Sequence, residues 1–242
     1  MYKGKKSICI FSYNSRGFTE DKQDICKLLM TNTDNFYPIL CNQENFLLKG
    51  NNYKVSKCLI DSRIIFKKAV KDSFDGRPKN GMFIAVPLEI RKHVDDVSPA
   101  HWRVQAVILS TCNNRILIIN SYFPTDPKVK EFDTTELLST LSAIKSVLND
   151  NDYDNVMWVG GINADFVRNT VFTNTIDRFV SEMSLEKSWD KYKIDFTHSF
   201  DREEQTYVST LDHFFGVKEY QIISRKLMFF IFPTIPLIRE NH

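Results

Sequence analysis

Two apolar runs, Trp102–Leu109 (WRVQAVIL) and Arg115–Tyr122 (RILIINSY), stand only five residues apart, and this spacing constrains the fold more than any other feature. A parallel crossover takes a dozen or more residues, so the two runs can only pair as antiparallel neighbours. In the first run Trp102, Val104, Ala106 and Ile108 share one face, and Arg103 and Gln105 take the other. Further strand-like runs are Ser7–Tyr13, Tyr37–Cys41, Gly81–Val86 and Asn155–Gly160. Helical spacing marks Asp21–Met30, with Ile25, Leu28 and Leu29 on one face, and Asn174–Met183. The clearest helix is Asp133–Asn149, where Asp133 is a candidate N-cap with Glu136 three residues on. Leu137, Leu141, Ile144 and Leu148 then recur on one face. Strands and helices so mixed predict an α/β fold of two packed sheets with outer helices, rather than a doubly wound parallel sheet.

The chain has 242 residues, which one domain can hold, and no repeat or linker divides it. Residues 1–224 are expected to form that domain. Residues 225–242 read as an atypical apolar tail. Leu227–Phe232 is apolar at every position and Pro233 and Pro236 follow, the pattern of a truncated or out-of-frame end. Such a run is expected to pair loosely as an edge strand or to project unpacked.

Net charge is only +2, so any phosphate binding must come from local placement of Lys and Arg. Lys67, Lys68, Lys71, Arg77 and Lys79 form one basic stretch that could track DNA phosphates, although Asp72 and Asp75 interrupt it and a solvated face would read the same. Five widely spaced cysteines, with no CxxC and no zinc spacing, read as thiols of a reducing compartment. Met1–Lys6 is too short and polar to open a signal peptide, and the longest apolar run is short for a membrane span. The chain reads as intracellular and soluble, without a membrane partner. Trp102 and Trp158 are expected in the core.

Several strand-like runs end in residues suited to a hard cation and phosphate. Asn14 follows the first, Glu44 the second, Tyr122 closes RILIINSY, Asn163 follows NVMWVG, and Asp212 lies in Ser209-Thr-Leu-Asp-His213. Taken singly, each is as readily a turn residue. In order, the segments Ser12-Tyr-Asn14-Ser-Arg-Gly17, Asn42-Gln-Glu44, Asn120-Ser-Tyr122-Phe-Pro124, Gly160-Gly-Ile-Asn163 and Ser209-Thr-Leu-Asp212 resemble successive motifs of endonuclease/exonuclease/phosphatase domains. Gly76–Met82 and Ile162–Phe166 resemble the endonuclease domains of non-LTR retroelements in particular.

That resemblance implies a four-layered, DNase I-like sandwich and metal-dependent hydrolysis of a phosphodiester bond. It implies Glu44 as principal ligand of Mg²⁺ (or Mn²⁺) with Asn14 beside it. Tyr122 would contact the scissile phosphate, Asn163 would orient the attacking water, Asp212 would support the centre, and Thr197 would contact phosphate. The expected partners are DNA and a reverse transcriptase domain in a longer parent protein, in the nucleus if the DNA is chromosomal. Two departures stand out. The family's G-D-x-N reads Gly160-Gly161-Ile162-Asn163, by substitution or by loss of one residue, and the late S-D-H segment is missing. Asp165, two residues after Asn163, is expected to point elsewhere. A catalytically degenerate remnant is therefore an alternative, and a phosphatase or lipid phosphodiesterase of the same superfamily is another.

Overall fold

The structure, a computed structural model, describes residues 6–31, 35–71, 76, 78–112, 114–125 and 134–187, and strands 198–202, 205–209, 212–216, 221–222 and 228–232. Beyond residue 197 side chains are described only for 214–216. The first elements are β1 (Ser7–Asn14), α1 (Glu20–Leu29), β2 (Phe36–Gln43), α2 (Tyr53–Cys58) and β3 (Ser62–Lys67). Then come β4 (Val70–Lys71), β5 (Pro78–Lys79), β6 (Met82–Pro87), β7 (Val94–Asp96), β8 (Val104–Ser110) and β9 (Arg115–Tyr122). α3 (Thr135–Asp150), β10 (Asn155–Gly161), α4 (Val171–Glu182) and β11 (Glu186–Lys187) follow. The last strands are β12 (His198–Arg202), β13 (Gln205–Ser209), β14 (Asp212–Gly216), β15 (Gln221–Ile222) and β16 (Met228–Phe232).

As the short connection requires, β8 and β9 pair antiparallel, from Val104↔Ser121 to Ser110↔Arg115. They belong to a six-stranded sheet ordered β11-β14-β10-β9-β8-β7, and a second six-stranded sheet runs β15-β16-β1-β2-β6-β3. Each sheet holds one parallel pair, β1 with β2 and β9 with β10. The sheets pack face to face. Ile8, Ile10, Ile39 and Ile84 of one meet Val107, Ile116, Ile118 and Val159 of the other. Leu117 and Ile119 turn the opposite way, onto Leu141 and Ile144 of α3 and Ile176 of α4. α1 and α2 cover the other sheet through Cys26, Leu29 and Val55. Both faces of the central strands are therefore buried, which is why their sequences are apolar nearly throughout rather than alternating. Each such side chain contributes about 1.5–3 kcal/mol. The expected four-layer α/β sandwich is what forms. No helix among the described residues is long and apolar enough to cross a membrane.

Some expectations shift. The helix at 133–149 starts at Thr135, after Thr134 at its N-cap, and Asp133 lies outside the described residues. α4 starts at Val171, three residues before the apolar spacing suggested, because the Thr170 hydroxyl accepts from the Thr173 amide at 3.2 Å. β16 is not an edge strand. It pairs with β1, from Ile8↔Phe232 to Ser12↔Met228, and with β15 on its other side.

Candidate active site at the carboxyl ends of two parallel strand pairs

Asn14 and Gln43 close the parallel pair of one sheet, and Tyr122 and Gly161 close that of the other. Because the sheets face each other, these four ends lie together, and the loops beyond them build the site. The two loops after β1 and β2 are laced by the backbone: Ser15 N donates to Gln43 O at 3.0 Å and Gly17 N to Glu44 O at 2.6 Å. Holding them so close forces unusual backbone. Arg16, Glu44, Phe46, Asn80 and Asn163 all take positive φ, between 46° and 62°. Asn tolerates this region; Glu, Phe and Arg sit there at a cost of about 1–2 kcal/mol each.

On this frame the Tyr122 phenol bonds to the Glu44 carboxylate and to Asn163. Burial foremost, and then the adjacent carboxylate, hold the phenol well above its ordinary range, against the opposing pull of Asn163 and Arg103. Tyr122 is therefore a neutral donor near pH 7, not a base. Asn163 is fixed by donating Nδ2 to Phe123 O at 2.7 Å, and Asn14 by accepting at Oδ1 from Arg16 N at 3.2 Å. The amide of Asn14 lies 3.7 Å from where a Gly161 Cβ would stand. Asn14, Glu44, Tyr122 and Asn163 thus share one site.

Beneath them a buried polar bridge joins the sheets. Asn120 accepts from Gln43 Nε2 at 2.7 Å and donates to Asn42 O at 3.2 Å and Gln105 Oε1 at 3.4 Å. Asn120→Leu should leave Gln105 Oε1 without its donor and take one bond each from Asn42 O and Gln43 Nε2, the latter keeping Ser12 Oγ at 3.1 Å and Cys41 O at 3.0 Å, for a loss of about 2 kcal/mol in urea unfolding. A loss under about 1 kcal/mol would mean that water replaces the bridge.

One wall of the site departs from expectation. Trp102 precedes β8, is only half-buried, and lines a cleft of about 480 Å³ together with Glu44, Asn80, Arg103 and Tyr122. Trp158 is the core tryptophan, stacked on Phe215 at 4.3 Å. Arg103 lies over the Trp102 ring at 4.0 Å, pairs with Glu136 at 2.8 Å and donates to Tyr122 O at 3.0 Å. Sequence reasoning placed Arg103 as a strand residue. A cation at the start of an apolar strand was the signal available.

The remaining candidates separate. Lys67 turns inward: its Nζ donates to Pro99 O, His101 O and Val104 O at 2.7, 2.7 and 2.6 Å, which uses all three ammonium protons. Lys68 is exposed, and exposed Lys71 pairs in register with Pro78, at the rim of the cleft. Asp212 is in register with Gly161 on β14, and its side chain lies outside the described residues, as does Thr197. Asp165 caps a short 3₁₀ turn, accepting from Val167 N at 3.2 Å and Arg168 Nε at 3.1 Å. All five cysteines are free thiols.

At a metal the donor set would be spare. Among the described residues no three His, Cys, Asp or Glu side chains cluster, and the site offers one carboxylate with amides beside it. That suits Mg²⁺, which binds through one or two carboxylates and keeps waters for a phosphate to replace. β10 stays in register with β9 and β14 through Gly161, so a carboxylate introduced at that position would stand at the strand end without disturbing the pairing. A Cβ at Gly161 would meet Tyr122 Cδ2 at 2.9 Å, so the ring must give way. Gly161→Asp should raise any nicking rate about tenfold, less than the 10²-fold or more typical of a general base, because displacing the ring offsets part of the gain. An insertion after Gly161 should lower it by dislodging Asn163. A better insertion than substitution would reverse this reading of the register.

No family model matches the sequence, and neither does any curated protein. Solved structures do. The endonuclease domain of TRAS1, a telomere-specific non-LTR retrotransposon, superposes with a TM-score of 0.65 at 16% identity, covering 94% of this chain and 99% of that one. The AP endonuclease LMAP from Leishmania major gives 0.68 at 12%, covering 94% and 88%. An endonuclease/exonuclease/phosphatase family protein from Leptotrichia buccalis gives 0.59 at 13%, covering 96% and 100%. At such identities the likeness is one of architecture, and with the two sheets, their helices and their paired strand ends it establishes that this chain has the DNase I-like fold of the endonuclease/exonuclease/phosphatase structures.

Proposed function

We propose that the chain hydrolyses phosphodiester bonds in DNA with a divalent cation, as a nicking endonuclease of a retroelement. The observation that supports this most is the bonded set Glu44–Tyr122–Asn163, with Asn14 beside it, at the mouth of a cleft on this fold. Glu44, with Asn14, would hold Mg²⁺ or Mn²⁺, which when bound supplies Lewis-acid neutralisation of phosphate charge. The neutral Tyr122 hydroxyl would donate to a nonbridging phosphate oxygen, and Asn163 would hold the phenol and orient water. The cleft wall of Trp102 and Arg103 would receive the adjoining nucleotide. The motif resemblance and the TRAS1 likeness favour a retroelement role, in which a reverse transcriptase domain of a longer parent protein would extend the nicked strand.

Gly161 favours a second reading, a remnant that keeps the fold and has lost the water-handling carboxylate. Supercoiled-plasmid nicking with Mg²⁺ and with chelator separates the two. The first reading expects nicked circles that need the cation. No nicking over background in Mg²⁺ or Mn²⁺ would leave the remnant.

A further inference from the structure

We infer that Lys67 is a positioning residue of this site, acting from the opposite sheet by gathering the backbone carbonyls of the segment that carries Trp102 and Arg103 into the cleft. The inference rests on the proposed role of the Tyr122–Glu44 site. Lys67 ends β3, at the edge of one sheet, whereas Pro99–Val104 leads into β8 of the other. Its ammonium takes the carbonyls of Pro99, His101 and Val104. The other two that shape the wall are held as well: Trp102 O accepts from Asn80 Nδ2 at 3.1 Å, and Arg103 O from Tyr122 N at 3.1 Å. This segment is therefore fixed by the side chains of Lys67, foremost, and Asn80, as well as by the backbone bonds from Tyr122 N to Arg103 O and from Val104 N to His101 O. Through Arg103, which holds Tyr122 O and Glu136, the fixation reaches the phenol that meets Glu44.

An ammonium is the group this cradle fits. Three N–H donors leave in tetrahedral directions and each finds a carbonyl; a neutral amine has two, and Met has none. Burial pulls the Lys67 amine down to about 8, with Asp96 on β7 opposing, and His101 in the same segment is the other titratable group that faces it. The third proton is therefore held at neutral pH and given up within an accessible range. Above that pH the amine keeps only two of its three donations, and the Trp102–Arg103 wall slackens, although His101 O keeps its bond from Val104 N at 3.3 Å.

The test compares full-length wild type, Lys67→Met and Lys67→Arg by hydrogen exchange and by plasmid nicking. Lys67→Met should speed exchange at least tenfold at residues 101–104 and at the Tyr122 amide, with the β1–β2 ladder unchanged. It should lower kcat for nicking about tenfold with KM within twofold, and flatten the fall in kcat that wild type shows as pH rises through 8. Lys67→Arg, which keeps donors but not the tetrahedral set, should fall between. Exchange that rises uniformly across both sheets would mean a merely structural lysine and overturn the inference. If wild type does not nick, the functional reading fails alone, and protection of the Tyr122 amide still decides: unchanged protection in Lys67→Met sinks the positioning role. If Lys67→Met does not fold, wild type at pH 7 and pH 9.5, corrected for intrinsic exchange, decides by the same criterion.

Discussion

Gly160→Ala is expected to remove most of the stability of the fold, by about 4 kcal/mol or more in urea unfolding. Gly160 sits at φ +132° in the last turn of β10 toward the site, a region L side chains rarely enter. It is paired with Ser121 of the parallel neighbour β9, and a Cβ there would stand 2.0 Å from the Ser121 carbonyl oxygen and 3.0 Å from its carbon. That obstacle is backbone in the middle of a sheet, so it cannot swing away as a side-chain end could. Relief would require parting β9 from β10 where Trp158 Nε1 donates to Ser121 Oγ at 2.7 Å and where Tyr122 and Gly161 approach the site. A native domain is stable by only about 5–15 kcal/mol, so the loss is a large share of the whole. Gly50→Ala is the control, since Gly50 also has positive φ, +95°, but no atom within 4 Å of the added Cβ. It should cost only about 1–2 kcal/mol for the backbone conformation. Equal costs at the two positions would refute the close approach of β9 and β10.

Glu44→Gln should behave in the opposite way, abolishing activity while leaving the fold alone. Nicking in Mg²⁺ should fall about 10³-fold, or about 4 kcal/mol in the barrier, because the amide keeps the shape of the side chain and loses the charge that would hold the cation. Stability should change by less than about 1 kcal/mol. Glutamine still offers Tyr122 an oxygen to donate to, and the left-handed backbone at φ 53° is no worse for Gln than for Glu. Removing the negative charge also removes one cause of the raised Tyr122 pKa, so its phenol should ionise at lower pH than in wild type. An absorbance titration against Tyr122→Phe follows that shift even where no nicking is measurable. Full nicking activity in Glu44→Gln would place the cation elsewhere and end the proposed role of this carboxylate.

The sequence by itself determined that strands and helices mix along this chain and which two strands are antiparallel neighbours, while the four layers were implied by the motif resemblance. Five residues between two apolar runs left no room for a crossover, and the 3.6-residue spacing of Leu137, Leu141, Ile144 and Leu148 marks a helix with one buried face. It also placed Asn14, Glu44, Tyr122 and Asn163 at the ends of apolar runs, which are local properties, although only their order, through the motif resemblance, marked them as candidates. Only the tertiary structure decided what surrounds them. Lys67 reads in sequence as part of a basic stretch, and three carbonyls from a segment more than thirty residues away turn it inward. Trp102 continues the alternation of β8 in sequence, but the strand begins two residues later and the ring falls to the cleft. Met228–Phe232 has an apolar pattern that names no neighbour, and only the tertiary structure sets it between β1 and β15. Periodicity reports a residue's own element and the face it buries. It is silent on the partner, which here comes from the other sheet or the other end of the chain.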